Sequence, residues 1–283
     1  MSQPRLLTDR AALLRQRARA EQQGSAMFLH DEALFEVQER LIDVNRSFTS
    51  PAIVTGHPDF WAKAFPNARI VPDEDTLALE PEAHDLVIHA MCLHWSNDPV
   101  GQLVQCRRAL KSDGLFLSAF LGGQTLSELR AALSEAEVSL TAGLSPRVAP
   151  MGEIRDLGGL LQRAGLALPV ADSSKRTVSY SSPMVLLHDL RAMGEGNVLF
   201  DRQKTPPPRD LFARMARIYS DNYSSEPDRV AATFEMIFLT GWAPSETQQK
   251  PLQPGSATTR LADFLSTPEL GSDAKPVNGD KDQ

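Results

Sequence analysis

Residues 84–120 constrain the fold more than any other part of the chain, because they read as strand, helix and strand in immediate succession. The first strand, HDLVIHA, is a nearly continuous apolar run, the pattern of a strand covered on both faces. Asn97 or Asp98 then stands ready to cap a helix whose first residue is Pro99, with Leu103, Cys106 and Leu110 recurring on one face. Ser112-Asp113-Gly114 ends that helix, and residues 115–120 resume as a strand. Two strands joined by a crossover helix lie parallel, so an α/β sheet with helices on its faces is expected. The loop from Met91 to Asp98 then falls at the carboxyl end of a strand, where ligands bind in such sheets.

The neighbouring segments extend the alternation. Strands are predicted at 51–55 and 68–71, with a short helix at 59–65 after Pro58. Beyond the Gly122-Gly123 break, Thr125 and Glu128 are spaced as a capping box opening a helix with Leu126, Leu129 and Leu133 inward. Helices are predicted at 151–164, ended by Gly165, at 184–193, stopped by Gly194, and at 210–219. Strands are predicted at 166–170, 176–180 and 230–239. Three regions follow: an N-terminal helical segment at 1–49, a main domain at 50–244, and an extended tail at 245–283 whose last dozen residues are expected to be disordered. The tail's apolar content is concentrated at Leu261, Phe264 and Leu265.

Arg5, Arg10, Arg15, Arg17 and Arg19 crowd the N-terminus without an apolar stretch, so it does not read as a secretory signal. It shares the arginine richness of a transit peptide, but Asp9, Glu21 and the pairs Leu6/Leu7 and Leu13/Leu14 fit better an amphipathic helix docked on the domain or a partner. The whole chain runs the other way, with 29 Lys+Arg against 36 Asp+Glu and a net charge of −7. Such a chain has no global cationic field to hold nucleic acid. Its apolar runs fall short of the roughly 20 residues that span a bilayer. Cys92 and Cys106 are neither a CxxC pair nor part of a zinc-ligand pattern, and read as buried small hydrophobes in a reducing compartment.

His94-Trp-Ser-Asn-Asp-Pro99 followed by Leu110-Lys-Ser-Asp-Gly114 resembles the fourth strand, helix and fifth strand of class I S-adenosylmethionine-dependent methyltransferases, including the biotin-pathway enzyme acting on a carrier-protein malonyl group. The runs 122–130 (GGQTLSELR), 144–147 (LSPR), 156–165 (DLGGLLQRAG), 189–197 (DLRAMGEGN) and 240–242 (TGW) narrow this. They resemble the methyltransferase-fold assembly factors of respiratory complex I, a family of arginine hydroxylases acting on the quinone-proximal iron–sulphur subunit, with bacterial relatives. The resemblance covers most of residues 5–265. It implies a Rossmann-like sheet, a complex I subunit as protein partner, and a location in the bacterial cytoplasm, peripheral at the inner membrane through that partner, or in the mitochondrial matrix. Of the site residues, it implies Asp73 as the acid that meets the donor's adenine, Ala90 at the end of the fourth strand, and Trp95, Arg130 and Arg147 toward substrate or partner.

The donor loop departs from the pattern. A methyl donor is held by a glycine-rich turn after the first strand, where backbone N–H groups approach the ligand. Here Val54-Thr-Gly56-His-Pro-Asp59 stands in that place, keeping Gly56 alone and adding Pro58, which has no N–H. Residues 57–83 are also too few for two crossover units of on the order of 30 residues each. One strand and one helix of the cofactor half are therefore expected to be missing, and Asp73 reads equally as a solvated turn residue. Either S-adenosylmethionine binds weakly in an altered mode or the fold has become a scaffold.

An iron centre for hydroxylation would ask for two histidines and a carboxylate. His84, His89 and His94 are spaced five apart and cannot converge from one strand. His94 with Asp98 is the pair best placed for catalysis. Its plain alternative is a hydrogen-bonded loop histidine beside Trp95, with Asp98 as a helix cap. Three functions stay open: an arginine-modifying complex I assembly factor, a working methyltransferase of the malonyl-carrier-protein kind, and a binding module without chemistry.

Overall fold

In this computed structural model the structure describes residues 6–141, 143–248 and 267. Arg5, the Leu261/Phe264/Leu265 patch and the last dozen residues lie outside them. The described residues up to Ser245 form one compact unit. In chain order its elements are α1 (Arg10–Gln23), α2 (Phe28–Val44), β1 (Pro51–Thr55), α3 (Pro58–Ala64), β2 (Arg69–Pro72), β3 (His84–Ala90), a 3-10 turn at Leu93–Trp95, α4 (Pro99–Ala109), β4 (Leu110–Gly122), α5 (Ser127–Thr141), α6 (Ile154–Arg163), β5 (Ala167–Tyr180), α7 (Pro183–Ala192), α8 (Leu211–Asn222), β6 (Ser224–Glu226) and β7 (Arg229–Trp242).

The strands form one mixed sheet in the order β2-β1-β3-β4-β7-β5, with β6 paired to β7. The first four are parallel, as the crossover pattern requires, and β7 and β5 run antiparallel to them. Side chains alternate between the two faces. Ile53, Leu86, Ile88, Leu115 and Leu117 face α2, α5, α7 and α8, while Val54, Val87, Phe116 and Leu239 face α4 and α6. The short interval before β3 holds only a seven-residue helix and a four-residue strand. Beyond β1, therefore, the sheet continues by β2 alone. No helix among the described residues is long and apolar enough to cross a membrane.

Several elements differ from the sequence reading for identifiable reasons. The two short strands at 166–170 and 176–180 are one strand, because β7 is long enough to pair with the polar middle, Asp172 to Lys175. Leu110, counted on the helix face, instead begins β4 and stays buried there. The capping box does not form. Thr125 donates its hydroxyl to the Glu235 carbonyl (3.0 Å), and the Glu128 carboxylate accepts from the Thr233 hydroxyl (2.5 Å), so both residues tie the start of α5 to β7. Of the two candidate caps of α4, Asp98 does the capping, accepting from the Gly101 amide at 2.8 Å. Asn97 accepts from the amides of Leu7 and Thr8 (2.9 and 2.8 Å) and so fastens the N-terminal arm.

Helix α1 docks on the domain with Ala12, Leu13, Arg17 and Ala20 buried, while Leu14 faces outward. Asp9 caps it through the Ala12 amide and pairs with Arg202. Its apolar contacts form a separate small cluster with Trp95, Ala149, Val198 and Leu199.

Two glycines, one within α6 and one just beyond its end, are predicted to respond oppositely to alanine. Gly159 lies inside the helix with open space where a Cβ would go, whereas Gly165 ends the segment at φ +78°. Urea unfolding should show Gly159→Ala stabilising by up to about 1 kcal/mol and Gly165→Ala destabilising by about 1 kcal/mol or more.

Candidate functional site

The carboxyl ends of β1, β2 and β3 open onto one crevice, the position at which parallel sheets bind ligands. Strand β1 ends at Thr55, whose hydroxyl accepts the His57 amide at 3.1 Å as the chain turns into α3. Strand β2 ends at Pro72, leaving Asp73 buried just beyond it. Ala90 closes β3 between Thr55 and Ala119 of the flanking strands, fully buried.

The crevice is filled by the protein itself. The guanidinium of Arg17, reaching in from α1, lies directly on Gly56, so that a Cβ there would overlap it. Its Nη1 donates to both oxygens of Asp73, at 2.9 and 3.0 Å, and Arg10 adds bonds to the same carboxylate at 3.2 and 3.3 Å. Arg17 and Asp73 are 4% and 3% exposed. Burial pushes the Asp73 carboxyl up, but Arg17 and Arg10 outweigh it and hold it below the usual carboxylate range. The solvated-turn reading of Asp73 is thereby corrected: two cations require it buried and ionised.

Histidines surround the guanidinium. The rings of His30 and His57 are 4.5 Å apart, and His30 Nδ1 accepts from the Trp61 indole at 3.2 Å. Burial, then the neighbouring His57 and Arg17, drives His30 well below its ordinary value, and burial followed by Arg17 lowers His57. Both are thus neutral bases beside a fixed cation. On the other side Glu195 accepts from Trp95 Nε1 (2.9 Å) and faces His94 Nε2 at 3.1 Å. Burial pushes Glu195 up, yet His94, Arg17 and His57 together bring it below its usual value.

A cavity of about 200 Å³ adjoins this polar group, walled by Leu126, Leu129 and Leu133 of the α5 region and by Leu187 and Leu190 of α7, with Trp95 and Glu195 also on its lining. Arg147 lies on its lining and is paired with Glu137 at 2.6 Å. Arg130 donates to the Ala149 carbonyl at 3.0 Å, bracing the strand of chain that forms the wall.

The sequence candidates thus divide. Gly56, Asp73 and Ala90 share the crevice, and Trp95 lines the cavity with Arg147. His94 and Asp98 are not partners: His94 turns to Glu195, and Asp98 is engaged as the cap of α4. The other two histidines are separately employed, His84 with the Ser50 carbonyl (3.0 Å) and His89 with Gln102 (2.6 Å). Among the described residues no group of three His, Cys, Asp or Glu side chains is placed to hold a metal ion. Arg17, His30, His57 and Glu195 are the residues that sequence reasoning missed. Glu195 lies within the run 189–197, and Arg17 within the basic N-terminal cluster, so both lay in segments already distinguished without a role.

S-adenosylmethionine, the donor that the fold implies, does not fit this crevice as it stands. A guanidinium occupies the space over Gly56 where the donor would contact the backbone, and Asp73 is committed to two arginines.

Comparison with known proteins agrees with the fold. Residues 54–118 match the family described as Methyltransferase domain. The chain is 37% identical over 204 residues to the mitochondrial arginine-hydroxylase NDUFAF5 of Danio rerio, covering 72% of this chain and 63% of that protein. To the Dictyostelium discoideum protein of the same name it is 39% identical over 194 residues, covering 68% and 44%. To the malonyl-[acyl-carrier protein] O-methyltransferase of Laribacter hongkongensis it is 30% identical over 190 residues, covering 66% and 61%. The chain therefore spans less than two thirds of the length of these relatives.

The buried histidines predict acid sensitivity. His89, held neutral by burial, titrates at about 4 in the folded chain, against 6.5 for an ordinary histidine. As pH falls below 6.5 the unfolded chain takes up a proton that the folded chain refuses, so stability drops until about pH 4. The slope is about 1.4 kcal/mol per pH unit for each such histidine. Urea midpoints measured between pH 7 and 4.5 should fall, and His89→Gln should make the fall shallower.

Proposed function

We propose that this chain, which carries a methyltransferase domain and is homologous to the mitochondrial arginine hydroxylases, is a complex I assembly factor that modifies an arginine of the quinone-proximal iron–sulphur subunit. The observation that carries this reading is convergence. The runs 122–130, 144–147 and 189–197, which resemble the assembly-factor family beyond the general fold, come from separate elements yet meet at one cavity through Leu126, Leu129, Arg147, Leu190, Glu195 and Asn197. That cavity lies beside the crevice at the carboxyl ends of β1–β3, as a substrate site would. Its apolar walls suit the stem of a long side chain, and Glu195, on the lining and electrostatically coupled to Arg17, draws a cationic end toward the adjoining crevice.

Methyl transfer is the less favoured reading. The donor is itself reactive and the enzyme's part is mainly alignment, so an arginine lying where the donor belongs removes the step that matters. On the favoured reading the protein works in the bacterial cytoplasm, at the inner membrane through its partner, or in the mitochondrial matrix.

The test is to delete the gene and examine complex I by native electrophoresis and its iron–sulphur subunit by peptide mass spectrometry. Assembly should fall and one arginine should lose the mass of an oxygen atom; normal complex I with an unchanged arginine would refute the proposal. A complementing Glu195→Gln copy should lower the modified fraction roughly tenfold, the equivalent of about 1.4 kcal/mol in the barrier.

A further inference from the structure

We propose that the crevice over Gly56 is a guanidinium-binding site which the chain fills with its own Arg17, making α1 a pseudosubstrate that an arginine of the partner protein displaces. The inference rests on the arginine-directed reading above and adds where that arginine binds and what keeps the site closed.

Three features of the crevice point to a receptor rather than an ordinary buried ion pair. Asp73 presents both carboxylate oxygens to one guanidinium nitrogen, and its geometry is fixed by burial at the end of β2. Gly56 supplies a flat floor without a Cβ, against which a planar cation can lie. Finally, Arg17 uses the site incompletely: among the described residues its Nε and Nη2 have no hydrogen-bond partner, although the residue is only 4% exposed. Leaving two donors of a buried cation unmatched is costly. A side chain fixed to a helix at one angle accepts that cost, whereas an arginine on a flexible segment is free to turn and satisfy more of its donors. His94 Nδ1 is likewise buried without a partner, and Glu195 stands on the same side.

The attachment of α1 is suited to release. Its large apolar anchor is Leu13, and the other buried apolar positions are Ala12 and Ala20. Arg17 rests its Cγ and Cα against the point where a Cβ of Gly194 would stand, at 3.2 and 3.3 Å. The helix therefore passes over a residue held at φ +81° rather than interlocking with a side chain. Its N-terminal end is fastened independently of Arg17. The N-terminal arm is held by Asn97 and Arg202, and Gly24, at φ +87° with open space where a Cβ would stand, follows the last residue of the helix. Tilting about the arm would lift Arg17 out while the chain stays attached.

The experiment uses full-length Arg17→Ala protein and N-acetyl-L-arginine amide as the probe, with N-acetyl-L-lysine amide and S-adenosylmethionine as comparisons, followed by thermal shift and equilibrium dialysis. Arg17→Ala should bind the arginine probe saturably and at least tenfold more tightly than the unaltered chain, should discriminate against the lysine probe, and should lose binding when Asp73→Asn is added. Absence of saturable binding, equal affinity in the unaltered chain, or saturation by S-adenosylmethionine but not by the arginine probe would overturn the proposal. Should Arg17→Ala fail to fold, hydrogen exchange on the unaltered chain decides: an arginine-bearing peptide at saturation should accelerate exchange across residues 10–23, and unchanged exchange counts against displacement. The two ideas fail separately. Arginine binding without any arginine mass change in the deletion strain refutes the modification reading alone, and the reverse pattern refutes the pseudosubstrate alone.

Discussion

The ion pair between Arg17 and Asp73 is the constraint around which the ligand-binding end of the domain is organised. Removing two charges from water is expensive, and the loss is offset only where geometry and further hydrogen bonds are good. Here Arg10 adds a second cation to the carboxylate, and Glu195 balances the guanidinium from the far side. Burial already holds His30 and His57 below their ordinary values, and the fixed cation of Arg17 lowers them further. Glu195 must stay ionised, and Trp95 and His94 are turned toward it. The loop carrying Glu195 must in turn be narrow, which explains glycine at 194 and 196, each lying against residues of α1. One contact between the first helix and the end of the second strand thus bears on the charge and orientation of side chains drawn from four other segments.

How much of this the sequence revealed depended on the range of the interactions. The 84–120 unit is legible because its signals are local: an apolar run, an Asp-Pro cap and a glycine stop, each acting within a few residues. The alignment of β1, β2 and β3, and hence the placing of Gly56, Asp73 and Ala90 around one crevice, follows from that unit by topology. What was not legible is long-range. Thr125 and Glu128 have the spacing of a capping box, but a hydroxyl and a carboxylate serve β7 as well as their own helix, and the choice was made by a strand more than 100 residues away. The polar middle of β5 looked like a break because strand propensity is weak where the partner strand supplies the pairing.

Arginine-rich segments pose the same difficulty. Arg10, Arg15, Arg17 and Arg19 are alike in sequence, yet Arg17 alone of these is buried, and its separation from Asp73 spans 56 positions. Charge composition describes the field around a domain and is silent about which single cation is drawn inside. His94 and Asp98 are neighbours along a loop without being partners in space: the imidazole meets Glu195, beyond the end of α7, and Asp98 caps α4, the plainer of the two readings that the sequence allows.

The order of strands also bears on how the molecule behaves among copies of itself. A sheet ends in two rows of unpaired backbone groups, each able to recruit another chain. One border here is β2, four residues long and closed by Pro72, too short to template a neighbour. The other is β5, long and largely exposed, but carrying Asp172 and Arg176, which form ion pairs with Arg40 and Glu32 of α2. Charges fastened across the border would have to be stripped of their partners before a foreign strand could add there. With β2 short and β5 charged in this way, neither border of the described sheet is open to edge-on aggregation.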